Sequence, residues 1–187
     1  PNAVALGYRN TASGNYSLAI GNLNVASGQA SVALGEGNTS ANYGTLALGK
    51  SAYSFTEMQL VVGSSVPLCG AVLQSLKQAT TDATPTTMVT FLTALPVPAR
   101  TAHAFDGIIC AKSDNTDGHK VKAWKVTGLV VRDGSNNTRI VGTPTITGIA
   151  ADAEAASWDL AITADDTNER VNFTATGEAA TNIQWQG

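Results

Sequence analysis

The chain has 187 residues, enough for one large domain or two small ones. Apolar residues make up 43% of it and charged residues only 13%, with a net charge of −3, which argues against a nucleic-acid-binding protein, since such a protein needs a basic face. The sequence contains no apolar stretch of about 18 residues, and we therefore expect a protein that is not embedded in a membrane.

A repeat with a period of fourteen residues begins at the start of the chain. The tripeptide Ala-Leu-Gly or Ala-Ile-Gly begins at residues 5, 19, 33 and 47, and asparagine follows the glycine by three residues at positions 10, 24 and 38. A unit of fourteen residues is too short for a helical hairpin. It fits one coil of a β-solenoid, which consists of two short strands joined by two tight turns.

The apolar residues of each repeat alternate along its longer strand. Residues two apart share a face of a strand, so the apolar pairs are expected to point inward and to stack into ladders between coils about 4.8 Å apart. Glycine and asparagine are expected at turns that need a positive φ, and Asn42 stands where the two preceding coils have glycine. The predicted inward pairs are Val4 and Leu6, Leu18 and Ile20, Val32 and Leu34, and Leu46 and Leu48.

The motif Ser-x-Ala-[Ile/Leu]-Gly stands complete at Ser17–Gly21 and Ser31–Gly35, while Ala3 and Thr45 replace the serine in the other two copies. This pattern resembles the head repeat of trimeric autotransporter adhesins, typified by the YadA head, over residues 1 to about 54. The resemblance implies a left-handed parallel β-roll and a homotrimer in which three rolls pack around one axis. Because the repeat starts almost in mid-coil, we expect the sequence to be the C-terminal piece of a longer fibrous protein.

The repeat fades after Gly49, and the composition then changes. We predict a β-roll stalk over 1–54, a connector over 55–84 and a β-sandwich tip domain over 85–187. The connector segment 71–80, AVLQSLKQAT, is too short to distinguish a helix from a strand.

Short alternating segments and polar turns follow one another in the second half of the chain. Their inward faces carry Trp158, Leu160 and Ile162, then Val171, Phe173 and Ala175, then Ile183 and Trp185. This regular spacing predicts an antiparallel β-sandwich or jelly roll, and so an all-β protein as a whole. The candidate strands are 88–95, 104–111, 120–132, 139–141, 145–149, 157–163, 170–176 and 182–186.

Three stretches of this half, AFDGIICAK, AWKVTGLVVRDG and TADDTNERVNFTATGEAATNIQWQ, carry a second resemblance. They look like a C-terminal domain that recurs in tail fibres and virion structural proteins of tailed phages. The resemblance covers roughly residues 85–187 and depends on pattern, since no invariant chemical motif supports it. It implies a virion protein at the distal end of a tail fibre.

No catalytic constellation is recognisable. His103 lies between alanines, His119 lies in a polar turn, and the sequence has no Gly-x-Ser-x-Gly nucleophile elbow. The acidic pairs fall in predicted turns, where aspartate is a good turn former. Cys69 and Cys110 are expected to be buried thiols, with a disulfide left open, and the absence of metal-ligand spacing predicts no metal and no cofactor.

The predicted function is adhesion of a trimeric phage tail fibre tip to the host cell surface, without catalysis. Loops on a rigid scaffold commonly carry binding function, and their Asn, Asp and Ser side chains can hydrogen-bond sugars. Trp124 is added because it lies on the strand face opposite Val121 and Ala123. The candidate receptor-binding residues are Asp114, Asn115, Asp117, His119, Trp124, Asp133, Asn136, Asn137, Asp166 and Asn168.

The partners expected are two further copies of the chain and a host polysaccharide or outer-membrane receptor, with no nucleic acid. Two alternatives remain open. One is the head fragment of a bacterial trimeric autotransporter adhesin at the bacterial cell surface. The other is a purely structural collar or decoration trimer of a virion.

Overall fold

The computed structural model describes residues 2–54, 56–63, 70–89, 95–114 and 119–187, and the chain forms two compact units, Pro1–Ser75 and Leu76–Gly187. We call them the coil unit and the sheet unit. Apart from one 3-10 turn at Ala153–Ala155, the regular elements of these residues are β-strands, which confirms the all-β prediction. The described residues include no helix with the length and hydrophobicity that a membrane span requires.

The coil unit is a parallel β-roll, as predicted. One sheet has the order β1-β3-β5-β7-β8-β9 and a narrower one the order β2-β4-β6, with all pairings parallel except that of β8 with β9. The strands are β1 Val4–Tyr8, β2 Thr11–Ala12, β3 Leu18–Asn22, β4 Val25–Ala26, β5 Val32–Glu36, β6 Thr39–Ser40, β7 Leu46–Lys50, β8 Gln59–Gly63 and β9 Gly70–Gln74. Leu46 pairs with Leu60, so β8 continues the fourteen-residue step past residue 54.

The side chains inside the roll are the small ones, and the prediction of inward apolar ladders was wrong. Ala19, Ala33 and Ala47 are fully buried, and Ser17 and Ser31 on the same strand face are buried as well. The apolar residues point to the outer face of the larger sheet. The residues concerned are Val4, Leu6, Leu18, Ile20, Val32, Leu34, Leu46 and Leu48, of which the first two are exposed and the rest half-buried.

The close spacing of the two sheets gives the physical reason for this arrangement. The inward side chains of the narrow sheet are also small, with Ala26 and Ser40 fully buried. In the third coil the Ser40 hydroxyl lies 2.6 Å from the hydroxyl of Thr45, across the interior. Because side chains from opposite sheets already touch at this size, a leucine on the inner face would have no room.

A ladder of asparagines joins the coils along one edge of the roll. Asn24 and Asn38 are fully buried, and the Asn38 N–H donates to Asn24 Oδ1 at 3.0 Å, as the Asn24 N–H does to Asn10 Oδ1 at 2.9 Å. The Asn24 amide Nδ2 also donates to the carbonyls of Ile20 (2.9 Å) and Gly35 (2.7 Å). The asparagines therefore satisfy the backbone groups of the turns from inside.

Positive φ is confirmed at the glycine of all four Ala-[Leu/Ile]-Gly motifs, whereas the prediction of positive φ at asparagine was wrong, Asn42 included. Gly21 has φ +122°, and a Cβ there would lie 2.0 Å from the carbonyl oxygen of Gly35, so glycine is required. The ladder asparagines do not have positive φ, whereas Leu23 (φ 55°) and Tyr16 (φ 60°) do. The repeating hydrogen bonds between coils hold these residues in the left-handed region despite their side chains.

The sheet unit is an antiparallel β-sandwich. One layer has the order β10-β19-β13-β14-β15 with β16 also paired to β14, and the other has β11-β18-β12 with β17 paired to β18. The strands are β10 Lys77–Thr80, β11 Thr86–Thr87, β12 Leu95–Pro96, β13 Thr101–Ser113, β14 Val121–Arg132, β15 Thr138–Ile140, β16 Thr145–Ala151, β17 Asp159–Asp165, β18 Arg170–Thr176 and β19 Ile183–Gln186. Segment 71–80, which the sequence left undecided, contributes to strands β9 and β10.

A single hydrophobic core lies between the two layers. Trp158 and Trp185 are 1% and 2% exposed, as the alternation of their strands predicted. Phe105 of one layer meets Phe173 of the other edge-to-face, with ring centroids 5.5 Å apart. Large aromatic side chains fill this interior, in contrast to the alanine and serine interior of the coil unit.

Two expectations for the second half need correction or lie outside the described residues. Cys110 is exposed on β13, because it alternates with the buried Ile109 and Ala111; the expectation of a buried thiol was wrong. Cys69 lies outside the described residues, as do residues 90–94 of the predicted strand 88–95.

Replacing Asn24 with alanine is expected to lower the free energy of unfolding by roughly 2–4 kcal/mol, because buried backbone groups of the neighbouring coils lose their partners. Urea unfolding followed by circular dichroism, at one protein concentration, measures the change. Asn15 is exposed and serves as the control; Asn15→Ala should change the value by less than about 0.5 kcal/mol. Equal effects of the two substitutions would contradict a stabilising ladder.

Candidate functional site

The predicted receptor-binding residues divide between the two ends of the sandwich. The twelve-residue strand β14 is roughly 40 Å long and separates them. We call residues 97–100, 132–139 and 165–170 the first loop cluster, and residues 113–114, 119–120 and 177–182 the second loop cluster. Asp133, Asn136, Asn137, Asp166 and Asn168 belong to the first, Asp114 and His119 to the second, and Asn115 and Asp117 lie outside the described residues.

Trp124 must be withdrawn from the candidate binding surface. It is 4% exposed and stacks on Trp185 in the core, with ring centroids 5.4 Å apart and planes at 19°. The alternation correctly placed Trp124 on the strand face opposite Val121 and Ala123, a face that it shares with Lys122, but that face points inward. Lys122 tolerates this position because its amine reaches the carbonyl oxygen of Trp158 at 2.6 Å.

Arg132 is the central side chain of the first loop cluster. Its Nε lies 3.1 Å from Oε2 of Glu169, and both side chains are about one-fifth exposed. Its two other nitrogens donate to the carbonyl of Val97 at 3.1 Å and to Oδ1 of Asn136 at 3.0 Å. One half-buried guanidinium therefore joins three separate loops, and the ion pair is shielded from solvent more than a surface pair would be.

Thr138 provides the second connection within the first loop cluster. Its backbone N–H donates to Asp166 and its hydroxyl donates to Glu169, so the turn after β17 is held against the start of β15. Thr138 is 2% exposed. The loops that carry Asn136, Asn137, Asp166 and Asn168 are thus parts of one hydrogen-bonded structure.

Two aspartates of this cluster organise their own turns. Asp133 Oδ1 accepts the N–H groups of Asn137 (3.0 Å) and Ser135 (2.8 Å), and these bonds lower the pKa of Asp133. The Asn168 side chain donates to Asp165 Oδ2 at 2.9 Å and its backbone N–H to Oδ1 at 3.0 Å, and together they lower the pKa of Asp165. Both carboxylates are therefore ionised at neutral pH, and each is hydrogen-bonded within its own turn.

The second loop cluster is held by Glu178. Its Oε2 accepts Trp158 Nε1–H at 3.3 Å and lies 3.3 Å from Lys120 Nζ, and both contacts lower the pKa of the Glu178 carboxyl. The Asp114 N–H donates to the carbonyl of Asn182 at 2.9 Å, and His119 Nδ1 lies 3.2 Å from the carbonyl oxygen of Ser113. These contacts join the end of β13 to the start of β14 and to the segment before β19.

The remaining titratable groups do not assemble into a site. His103 is half-buried with Nε2 2.9 Å from the Thr101 hydroxyl, and its burial lowers the pKa. Within the described residues there is no group of three or more His, Cys, Asp or Glu placed to hold a metal ion.

The arginines of the first loop cluster were not among the residues predicted from the sequence. Arg100, Arg132, Arg139 and Arg170 each stand next to a turn in the sequence, and that adjacency was the available signal. Only the fold shows that the turns themselves are neighbours.

Comparison with known proteins finds a family match within the coil unit. Residues 1–24 and 26–52 match the family model of the YadA head domain repeat, in two copies. This match supports the prediction of an adhesin-like, β-rich protein with YadA-type head repeats. No curated protein matches the chain.

Among solved structures, the chain is similar to the tailspike protein of Acinetobacter phage vB_ApiP_P1, with 9% sequence identity and a TM-score of 0.33. The alignment covers 98% of this chain and 46% of the tailspike chain, so the chain spans less than half the length of that protein.

The amide resonances of Ser135 and Asn137 should titrate with a midpoint below the ordinary aspartate value of 3.8, since they report on the lowered pKa of Asp133. A lowered pKa in the folded state stabilises the turn above the unfolded pKa. That stabilisation is lost as the pH falls through the folded pKa. NMR between pH 2 and 6 measures the midpoint, and Asp133→Asn should abolish the titration. A midpoint at or above 3.8 would contradict the turn structure.

Proposed function

We propose that the protein is the tip region of a trimeric phage tail fibre that adheres to a polysaccharide or outer-membrane receptor on the host surface. The observation that carries the proposal is the apolar outer face of the larger sheet of the coil unit. This face belongs to a chain whose first unit matches an adhesin head repeat.

The apolar face runs along the whole sheet. Leu6 is 62% exposed at one end and Leu73 is 69% exposed at the other, and every strand between them contributes Leu, Ile or Val to the same face. Contiguous apolar surface of this kind is unusual on a soluble monomer and is typical of an interface between subunits. Three copies around one axis would cover it, with the same face of each copy turned toward the axis.

The sheet unit supplies the attachment surface in this proposal. Its loop clusters are fixed by ion pairs and turn hydrogen bonds, as Arg132 with Glu169 and Lys120 with Glu178 show. Three identical tips on one fibre can bind a repetitive surface at once, so weak contacts at each tip add up to firm attachment.

We propose attachment without catalysis. Glycoside hydrolysis needs a pair of carboxyl groups that can donate and accept protons at the substrate. The carboxylates of the first loop cluster instead accept hydrogen bonds within the cluster: Asp133 accepts from its own turn, and Asp166 and Glu169 accept from Thr138.

The YadA head repeat also favours a second candidate, the head fragment of a trimeric adhesin on a bacterial cell surface. This candidate shares the trimer and the adhesive role. The two candidates differ in what carries the fibre: a bacterial cell in this one, a virion in the first.

Multi-angle light scattering is expected to give a mass three times that of the 19.1 kDa chain. The double variant Ile20→Lys/Leu34→Lys, which places charges on the apolar outer face, should lower the mass to that of one chain. Val25→Lys on the narrow sheet is the control, because Val25 is also half-buried and apolar but lies on the opposite side of the roll. A monomeric wild-type protein would overturn the trimer.

Fluorescently labelled protein should bind saturably to one or more strains in a panel of bacteria with different surface polysaccharides, measured by flow cytometry. Competition by excess unlabelled protein is the control for specific binding. A stable trimer without saturable binding to any strain would contradict attachment and would favour a purely structural role in the virion.

A further inference from the structure

Arginine is confined to one end of the sheet unit. Its arginines, at positions 100, 132, 139 and 170, all lie in the first loop cluster, and its lysines, at 77, 112, 120, 122 and 125, all lie outside it. Two of the arginines serve the fold. Arg132 pairs with Glu169, and Arg170 Nε donates to the carbonyl of Asn168 at 3.3 Å.

Arg100 and Arg139 have no such structural role. Both side chains are exposed, and neither forms a hydrogen bond or an ion pair within the described part of the chain. Arg100 lies against the 133–137 turn, since a Cβ at Gly134 would be 3.2 Å from its Nε. Arg139 lies near Asp133, where its charge adds to the pKa lowering caused first by the Asn137 N–H.

The strand register brings these two arginines to the same edge of the sheet. Ala102 pairs with Val131, which pairs with Arg139 on its other side, and Arg100 is two residues before Ala102. Arg100 lies in the turn before β13, against Gly134, and Arg139 lies near Asp133, so the two side chains flank the same 133–137 turn. Two extended arginine side chains on this edge can therefore reach a single branched or polymeric ligand.

The acidic residues nearby are held by hydrogen bonds within the cluster, and none of those in the described part of the chain forms an ion pair with Arg100 or Arg139. Asp133 and Asp165 accept the N–H groups of their own turns, Asp166 accepts the N–H of Thr138, and Glu169 is occupied by Arg132 and Thr138. The first loop cluster thus holds its carboxylates in internal hydrogen bonds and presents two guanidinium groups to solvent. Amide groups of the exposed Asn136 and Asn137 stand beside them.

We propose that Arg100 and Arg139 form a binding site for the oxyanions of an acidic cell-surface polysaccharide. The inference rests on the proposed function and specifies its receptor class. A guanidinium donates two parallel hydrogen bonds to a carboxylate or a phosphate, which a lysine cannot do. The neighbouring asparagine amides can donate to and accept from sugar hydroxyl groups. The site selects acidic glycans over neutral ones.

Binding of fluorescein-labelled polysaccharides to the full chain tests the site by fluorescence polarisation. The probes are polygalacturonate for carboxylates, phosphomannan for phosphates and dextran as the neutral reference. We expect at least one acidic probe to bind, with an affinity that falls as salt is added, and dextran not to bind. The variant Arg100→Gln/Arg139→Gln should weaken acidic binding tenfold or more.

The matched control is Lys112→Gln/Lys125→Gln, which removes the same charge from exposed residues of strands β13 and β14 outside the cluster. It should change the affinity less than twofold, and all three proteins should have the same mass by light scattering. Failure of both acidic probes to bind, or an equal loss in the lysine variant, would overturn the site.

Cell binding separates this inference from the proposed function. If wild type and the arginine variant bind cells equally well, the site is wrong and adhesion stands. If no cells are bound while the acidic probe still binds through the arginines, the site stands and attachment is wrong.

Discussion

The narrow interior of the roll is the constraint on which the coil unit depends. Two sheets packed so closely that Ser40 touches Thr45 leave room mainly for alanine, serine and threonine in the repeated coils, and a larger apolar side chain, Val61, is buried at β8. Such an interior removes little apolar surface from water, since an alanine buries far less than a leucine. The stability of the coils must therefore come largely from repeated backbone pairing and from the asparagine ladder, whose members Asn24 and Asn38 are fully buried and hydrogen-bonded.

The same constraint explains why the roll has an apolar exterior. Side chains alternate along each strand, so filling the interior with Ala19 and Ala33 sends Ile20 and Leu34 outward. The coil unit thus presents its larger apolar residues on its outer face. The sheet unit differs, because Trp124, Trp158 and Trp185 give it a core within one chain. The exposed side chains through which the sheet unit could make specific contacts lie in its loops.

The sequence predicted the period, the parallel roll and most strands of the sandwich, because these depend on local alternation and spacing. Alternation separates the two faces of a strand but does not say which face is buried. This is why the Leu/Ile ladders and Trp124 were assigned to the wrong side. Positive φ at Leu23 and Tyr16 carries no compositional signal. The network of Arg132, Glu169 and Thr138 joins residues about 30 positions apart in the sequence, so only the strand register brings it together.

The low charge content of the chain makes the placement of each charge informative. With 13% charged residues, most of the surface is neutral, and a side chain such as Glu169 or Glu178 is used to fix a loop. Fixed loops lose little conformational entropy when they bind, and this favours affinity for a ligand that presents few groups at a time. In that setting Arg100 and Arg139, which fix nothing, have the freedom to serve an external anion. A surface that binds a polymer combines loops fixed in one conformation, as in the first loop cluster, with side chains that can adjust to the ligand, as Arg100 and Arg139 can.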